Sequence, residues 1–94
     1  MSKTISLDYD GTFTVDPILW LEFVKTAKSR GHEVVVITMR SPEEALDIDP
    51  RLRAECTIMP TNRHAKRVFA RTNGVKVDIW IDDVPEFILE GSNR

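Results

Sequence analysis

Val34-Val35-Val36-Ile37 is an unbroken β-branched run, and it constrains the fold more than any other stretch of the chain. Successive side chains of a strand point to opposite faces, so a strand that is apolar at every position has both faces buried. That is the condition of a central strand in a parallel sheet covered by helices. Three further segments read as its partners: Ile5 to Leu7, which runs into Asp8; Thr57 to Met59, a weaker candidate; and Val77 to Ile81, which ends in Asp82-Asp83. Helical signals lie between them. Asp16-Pro17 is an N-cap followed by proline at the first helical position, and Trp20, Phe23, Val24 and Ala27 recur at helical spacing until Gly31 offers a stop. Ser41-Pro42-Glu43-Glu44 is a capping box opening a short helix that the Asp47 to Pro50 stretch closes. Thr61 or Asn62 caps a helix through Val68, Phe69 and Ala70 with Gly74 as its stop, and Pro85 to Leu89 reads as a short closing helix.

Strands alternating with helices predict an α/β fold: a small, Rossmann-like parallel sheet of about four strands in the order 3-2-1-4, with helices on both faces. The 94 residues suffice for one core, and no repeat, linker or low-complexity tract divides them, so residues 1–94 are expected to be a single domain with a frayed Gly91 to Arg94 tail. Thirteen basic against 15 acidic residues give a net charge of −2, which supplies no global field toward nucleic acid or an anionic membrane. Cys56 is the only cysteine and excludes an internal disulfide framework; its simplest role is that of a small buried hydrophobe. The longest apolar runs, Ile18 to Leu21 and Val34 to Ile37, are too short to span a bilayer, and Met1-Ser2-Lys3-Thr4 lacks the apolar stretch of a signal peptide. The expectation is a cytoplasmic protein without a membrane partner.

Asp8, Thr38 and Asp82 each fall at the carboxyl end of an expected strand, the edge at which open parallel sheets bind ligands. Asp8-Tyr9-Asp10-Gly11-Thr12 places two carboxylates two residues apart where strand passes into loop, and Asp82-Asp83 adds a second pair. A site made of such acids needs a hard divalent cation, and oxygen-only ligands favour Mg²⁺ over zinc. Taken singly these residues have plainer readings. Asp10-Gly11-Thr12 serves equally as an exposed turn, Thr38 as a strand terminator, and Lys66 with Arg63, Arg67 and Arg71 as a solvated helix face.

In combination and in this order, from Ile5 to Asp83, the four motifs resemble those of the haloacid dehalogenase superfamily of phosphohydrolases. The resemblance implies that Asp8 is a nucleophile forming an aspartyl-phosphate and that Asp10 is the general acid/base, its main-chain carbonyl helping to hold the metal. Thr38 would contribute a hydroxyl to the phosphoryl oxygens and Lys66 a positive charge above them. Asp8, Asp10, Asp82 and Asp83 would form the Mg²⁺ set, with Asp82 direct and Asp83 through water, although the sequence does not order the two. Glu86 matches the second acid of a longer form of the last motif and equally a helix-start acid after Pro85. Gly11, Thr12 and Arg40 are candidate substrate contacts, and Trp20 is expected in the core rather than against substrate.

An aspartate at position 10 fits a phosphatase or phosphomutase rather than an ion-pumping ATPase, and a mutase needs an enclosing cap. Neither the Asp10 to Val34 stretch nor the Thr38 to Cys56 stretch has room for one. Most members of the superfamily are longer, with a fifth strand and a cap, so an open site here suits a bulky substrate, a second copy of the chain or a partner protein as cap. The activity implied is that of a Mg²⁺-dependent phosphomonoesterase. The alternative is a catalytically silent phosphate-binding or protein-interaction module on the same fold. A response-regulator receiver shares the acid, threonine and lysine inventory but carries its acidic pair on the first strand, not the last. The Arg63 to Arg71 stripe lacks interleaved aromatics, so nucleic acid is expected only as an end-phosphate substrate.

Overall fold

The all-apolar run is buried on both faces. In the computed structural model, which describes residues 2–92, it forms most of the second strand, and Val36 and Ile37, which point to opposite faces, are both fully buried. The strands are β1 (Thr4–Leu7), β2 (Glu33–Thr38), β3 (Thr57–Pro60) and β4 (Ile79–Ile81). All pair in parallel, in the order β3-β2-β1-β4, as the sequence predicts. Register decides what this order does for the carboxyl edge. Leu7 lies opposite both Val36 and Ile81, so Asp8 and Asp82, the next residue of each strand, leave the sheet at the same level. The Asp8 amide still donates to the Ile81 carbonyl at 2.9 Å, and Thr38 closes β2 beside them.

Helices α1 (Pro17–Ser29) and α2 (Pro50–Glu55) cover one face, burying Leu21, Val24, Ala27 and Leu52 against Ile5, Leu7, Val34 and Val36. Helix α3 (Lys66–Thr72) covers the other, where Ala70 and the partly buried Phe69 meet Val35, Ile37 and Met59. Each valine, leucine or isoleucine buried this fully contributes about 1.5–3 kcal/mol relative to exposure. A last short helix, α4 (Glu86–Leu89), packs against α3. Cys56 is buried beside α2, and loss of hydration pushes its thiol up to about 11, in keeping with a packing role.

Several local expectations are corrected. The capping box is present, with Ser41 Oγ accepting from the Glu44 amide at 3.2 Å and Glu44 Oε1 from the Ser41 amide at 2.7 Å, but it opens only a single 3₁₀ turn over Glu44–Asp47. The stretch expected to end a helix instead begins α2: Asp49 caps the Arg51 amide at 2.9 Å ahead of Pro50, repeating the Asp-Pro device that starts α1. Neither Thr61 nor Asn62 caps α3. Asn62 and Arg63 take positive φ values of 55° and 71°, and that turn delays the helix to Lys66. Strand β4 begins at Ile79, two residues later than expected.

At the C-terminal end Gly91 and Ser92 are held rather than frayed. The Ser92 amide donates to the Arg63 carbonyl at 2.8 Å, and a Cβ on Gly91 would meet that same oxygen at 2.8 Å. The rest of the expected tail, Asn93 and Arg94, lies outside the described residues. Among the described residues no helix is long and apolar enough to cross a membrane.

Candidate active site

Lys66 is the pivot of the carboxyl edge. It is the first residue of α3, its side chain is 2% exposed, and its Nζ donates to Asp8 Oδ1 at 2.8 Å and to Asp82 Oδ2 at 2.5 Å. A buried ammonium is tolerated only when paired, and two carboxylates from adjacent strands supply the pairing. The turn at Asn62 and Arg63 delivers the lysine here. Thr61, fully buried, accepts through its carbonyl from the His64 amide at 3.2 Å and donates its hydroxyl to the His64 carbonyl at 2.8 Å, fixing the entry to α3.

Asp83 brings a third carboxylate. Single oxygens of Asp8, Asp82 and Asp83 lie within 4.8 Å of one another, a spacing and an oxygen-only donor set that fit a hard divalent cation. Gly11 makes this approach possible. It adopts φ +83°, and a Cβ there would overlap the Asp83 carboxylate. Thr12 is buried, and its hydroxyl faces Asp8 Oδ2 at 3.2 Å and Asp83 Oδ1 at 3.4 Å, so it donates to one carboxylate at a time and orients the pair. Asp82 is steadied from its other oxygen, which accepts from the Val84 amide at 3.0 Å. In Gly11→Ala the left-handed backbone alone is expected to cost about 1–2 kcal/mol. Thermal melts of Gly11→Ala with and without Asp83→Ala check the rest: truncating Asp83 should relieve the steric share and leave only the backbone share.

Asp8 is 6% exposed, and its carboxyl is pushed up to about 7. Loss of hydration is the largest cause, followed by the hydrogen bond it shares with Asp83; the Lys66 ammonium pulls the other way, and Asp82 adds repulsion. Unfolded, the group titrates near 3.8, so between these two values folding takes up a proton and stability falls as pH rises, levelling off above about 7. The full difference is on the order of 4 kcal/mol. Measured by thermal denaturation without divalent cations, Asp8→Asn should therefore match the wild type near pH 4 and exceed it by several degrees at pH 8. Equal melting temperatures at both pH values would show that Asp8 ionises normally.

Asp10 stands apart from this cluster. Its carboxylate is 56% exposed and is held by the Arg40 fork, Nε to Oδ2 at 2.9 Å and Nη2 to Oδ1 at 2.8 Å. The Asp10 side chain is thus turned from the acid cluster toward a guanidinium that grips it bidentately; the metal contact expected of Asp10 is through its main-chain carbonyl, not through this carboxylate. Arg40 is engaged in turn. It donates to the Glu44 carbonyl at 2.7 Å and lies 5.1 Å from the centre of the Tyr9 ring, and Asp10 raises the guanidinium pKa. Tyr9 is itself fixed, stacked on Phe13 and accepting through its hydroxyl from the Asp49 amide at 3.0 Å.

Six of the sequence-predicted residues, Asp8, Asp10, Thr38, Lys66, Asp82 and Asp83, line one cleft of 190 Å³, whereas Arg40 lines an adjoining pocket that shares Asp10, Met39 and Phe87 with it. Thr38 is 1% exposed, and its hydroxyl accepts from the Arg40 amide at 3.3 Å. Gly11 and Thr12 lie instead on a neighbouring shallow pocket with Trp20, which also packs against the core. Glu86 is exposed at the start of α4 and is not among the clustered acids. Arg63 is not on the helix face. It sits in the preceding turn, paired with Glu44 at 2.8 Å and bonded to the Met39 carbonyl at 2.6 Å, while Glu44 is pulled down to about 2 by that arginine and by the Ser41 amide. Met39, Val84 and Phe87 complete the cleft wall and were not anticipated; Met39 could have been found from its place next to Thr38. Comparison of the chain with protein-family models, with curated proteins and with solved structures gives no match in any of the three.

Proposed function

We propose that the chain is a Mg²⁺-dependent phosphomonoesterase working through an aspartyl-phosphate on Asp8. One observation carries the reading: the Asp8 carboxylate lies at the carboxyl edge of the sheet between the Lys66 ammonium and the Asp82-Asp83 pair, beside an open cleft that also holds Thr38 and Asp10. A carboxylate so placed attacks phosphorus in line with the departing oxygen, and Asp10, once released from Arg40, gives that oxygen its proton. Asp10 then takes a proton from the water that hydrolyses the acyl phosphate, restoring both groups. Lys66 and the Thr38 hydroxyl stabilise the non-bridging oxygens as charge moves onto them. Arg40, on the adjoining pocket that shares Asp10 with the cleft, exchanges its Asp10 partner for the incoming phosphate.

Mg²⁺ held by oxygens of Asp8, Asp82 and Asp83 would supply the counter-charge that keeps Asp8 ionised and reactive at neutral pH. The substrate class is any phosphorylated molecule that reaches an uncapped cleft, with a second copy or another protein able to cover it.

The Arg40–Asp10 pair favours a second reading, a silent phosphate-binding module in which the acid stays sequestered. A panel of phosphomonoesters assayed with and without Mg²⁺ separates the two. Release of inorganic phosphate that requires Mg²⁺ supports the enzyme. Binding of inorganic phosphate, read as a rise in melting temperature, with no turnover across the panel would support the module.

A further inference from the structure

Folding brings Trp80 to a row of cations from which it is distant in sequence. Arg67 and Arg71 are one turn apart on the exposed flank of α3, and Lys76 follows in the connection to β4. Trp80 lies on the α3 face of the sheet, opposite Ser6, partly buried against the cluster of Val35, Ile37 and Met59. With Gly74 and Val75 these residues line a groove of 340 Å³, within the range of about 300–1,000 Å³ typical of ligand sites. The groove is separate from the acid cleft, with which it shares no lining residue.

Its chemistry is one-signed. Arg67, Arg71 and Lys76 form no ion pair among the described residues, a state they share with Lys3, Lys25, Arg30 and Arg53, but these three gather on one groove with no acid in its lining. Three unneutralised cations around a half-buried indole that lines the same groove, on a molecule of net charge −2, make a local anion-attracting strip. Cations that track a backbone beside an aromatic platform are what an unpaired nucleic-acid strand needs, because its phosphates and its base faces are presented together. A duplex keeps its bases stacked away from the ring, and an acidic peptide would use the cations but leave the indole without a partner.

We propose that this groove docks single-stranded nucleic acid, with Arg67, Arg71 and Lys76 on successive phosphates and a base stacked on Trp80. The proposal is independent of the phosphatase reading, and an oligonucleotide with hydroxyl groups at both ends keeps the two apart. The chain has two tryptophans, so Trp20→Phe leaves Trp80 as the sole indole reporter. Titrating that variant with oligothymidylate lacking terminal phosphates should quench its emission. Affinity should fall with salt with a slope of about −2, the value for three phosphate contacts on a single strand. Arg67→Ala with Arg71→Ala should weaken binding about tenfold or more; the Trp80 variants, which lack the reporter, are compared by the anisotropy of a fluorescein-labelled oligothymidylate, where Trp80→Leu should weaken binding about tenfold, with Trp80→Phe intermediate. Each variant is first shown to be folded by its melting curve. Binding that survives the double arginine substitution, or no quenching at millimolar oligonucleotide, would overturn the assignment. So would polyglutamate binding as tightly as the oligonucleotide and unaffected by Trp80→Leu, an outcome that marks the groove as an acidic-peptide site.

Discussion

Asp8→Asn is expected to abolish turnover, by a factor on the order of 10⁴ or more, while leaving the fold intact. An amide of nearly the same volume fills the same space between Lys66, Thr12 and Asp83, but it is a poor nucleophile toward phosphorus. The substitution also removes the carboxyl that burial and Asp83 make costly to ionise, so the inactive protein should be the more stable one above neutral pH. Steady-state rates and melting curves on the same preparation check both halves. A variant that kept a tenth of the wild-type rate with normal Mg²⁺ dependence would sink the aspartyl-phosphate mechanism.

Lys66 carries the second large effect. Removing its charge withdraws stabilisation from the transferring group, and Lys66→Ala should lower turnover by about 10² or more. It also strands Asp8 and Asp82, which it now bridges at 2.8 and 2.5 Å, and breaking a buried pair from one side costs about 3–5 kcal/mol. Those two consequences are separable. Lys66→Met keeps the apolar stem packed, so it should restore part of the stability and none of the rate. If Lys66→Met matched the wild type in rate, the lysine would be structural only. Arg71→Ala, on the solvated flank of the same helix, should alter small-substrate turnover and stability little, within about 0.5 kcal/mol.

The sheet and its acid edge were legible because their signals are local and strong. A run that is both β-branched throughout and free of polar side chains marks a doubly covered strand, and acids placed directly after strands must emerge at one edge once the order is 3-2-1-4. What remained hidden depends on partners distant in sequence. Nothing near Asp10 announces that Arg40, thirty residues away, will hold its carboxylate. The left-handed turn at Asn62 and Arg63 is stabilised by the Met39 and Arg40 carbonyls, so the start of α3 could not be read from capping residues alone. The missed α2 is a different case. Its Asp49-Pro50 signal repeats Asp16-Pro17, but its single buried residue, Leu52, leaves no helical periodicity to notice.

The hydrogen bond from the Ser92 amide to the Arg63 carbonyl bears on how the protein is handled in the laboratory. Arg63 belongs to the turn that sets where α3 begins, and the first residue of α3 is the lysine between the two acids. A purification tag or fluorescent protein attached beyond Arg94 would therefore load the Ser92–Arg63 contact, three residues from Lys66. A label placed ahead of Thr4 would instead enter at the amino edge of the sheet, opposite the cleft. Kinetic work is accordingly best done on N-terminally tagged protein, and a rate difference between the two tag positions would measure how firmly the C-terminal segment holds that turn.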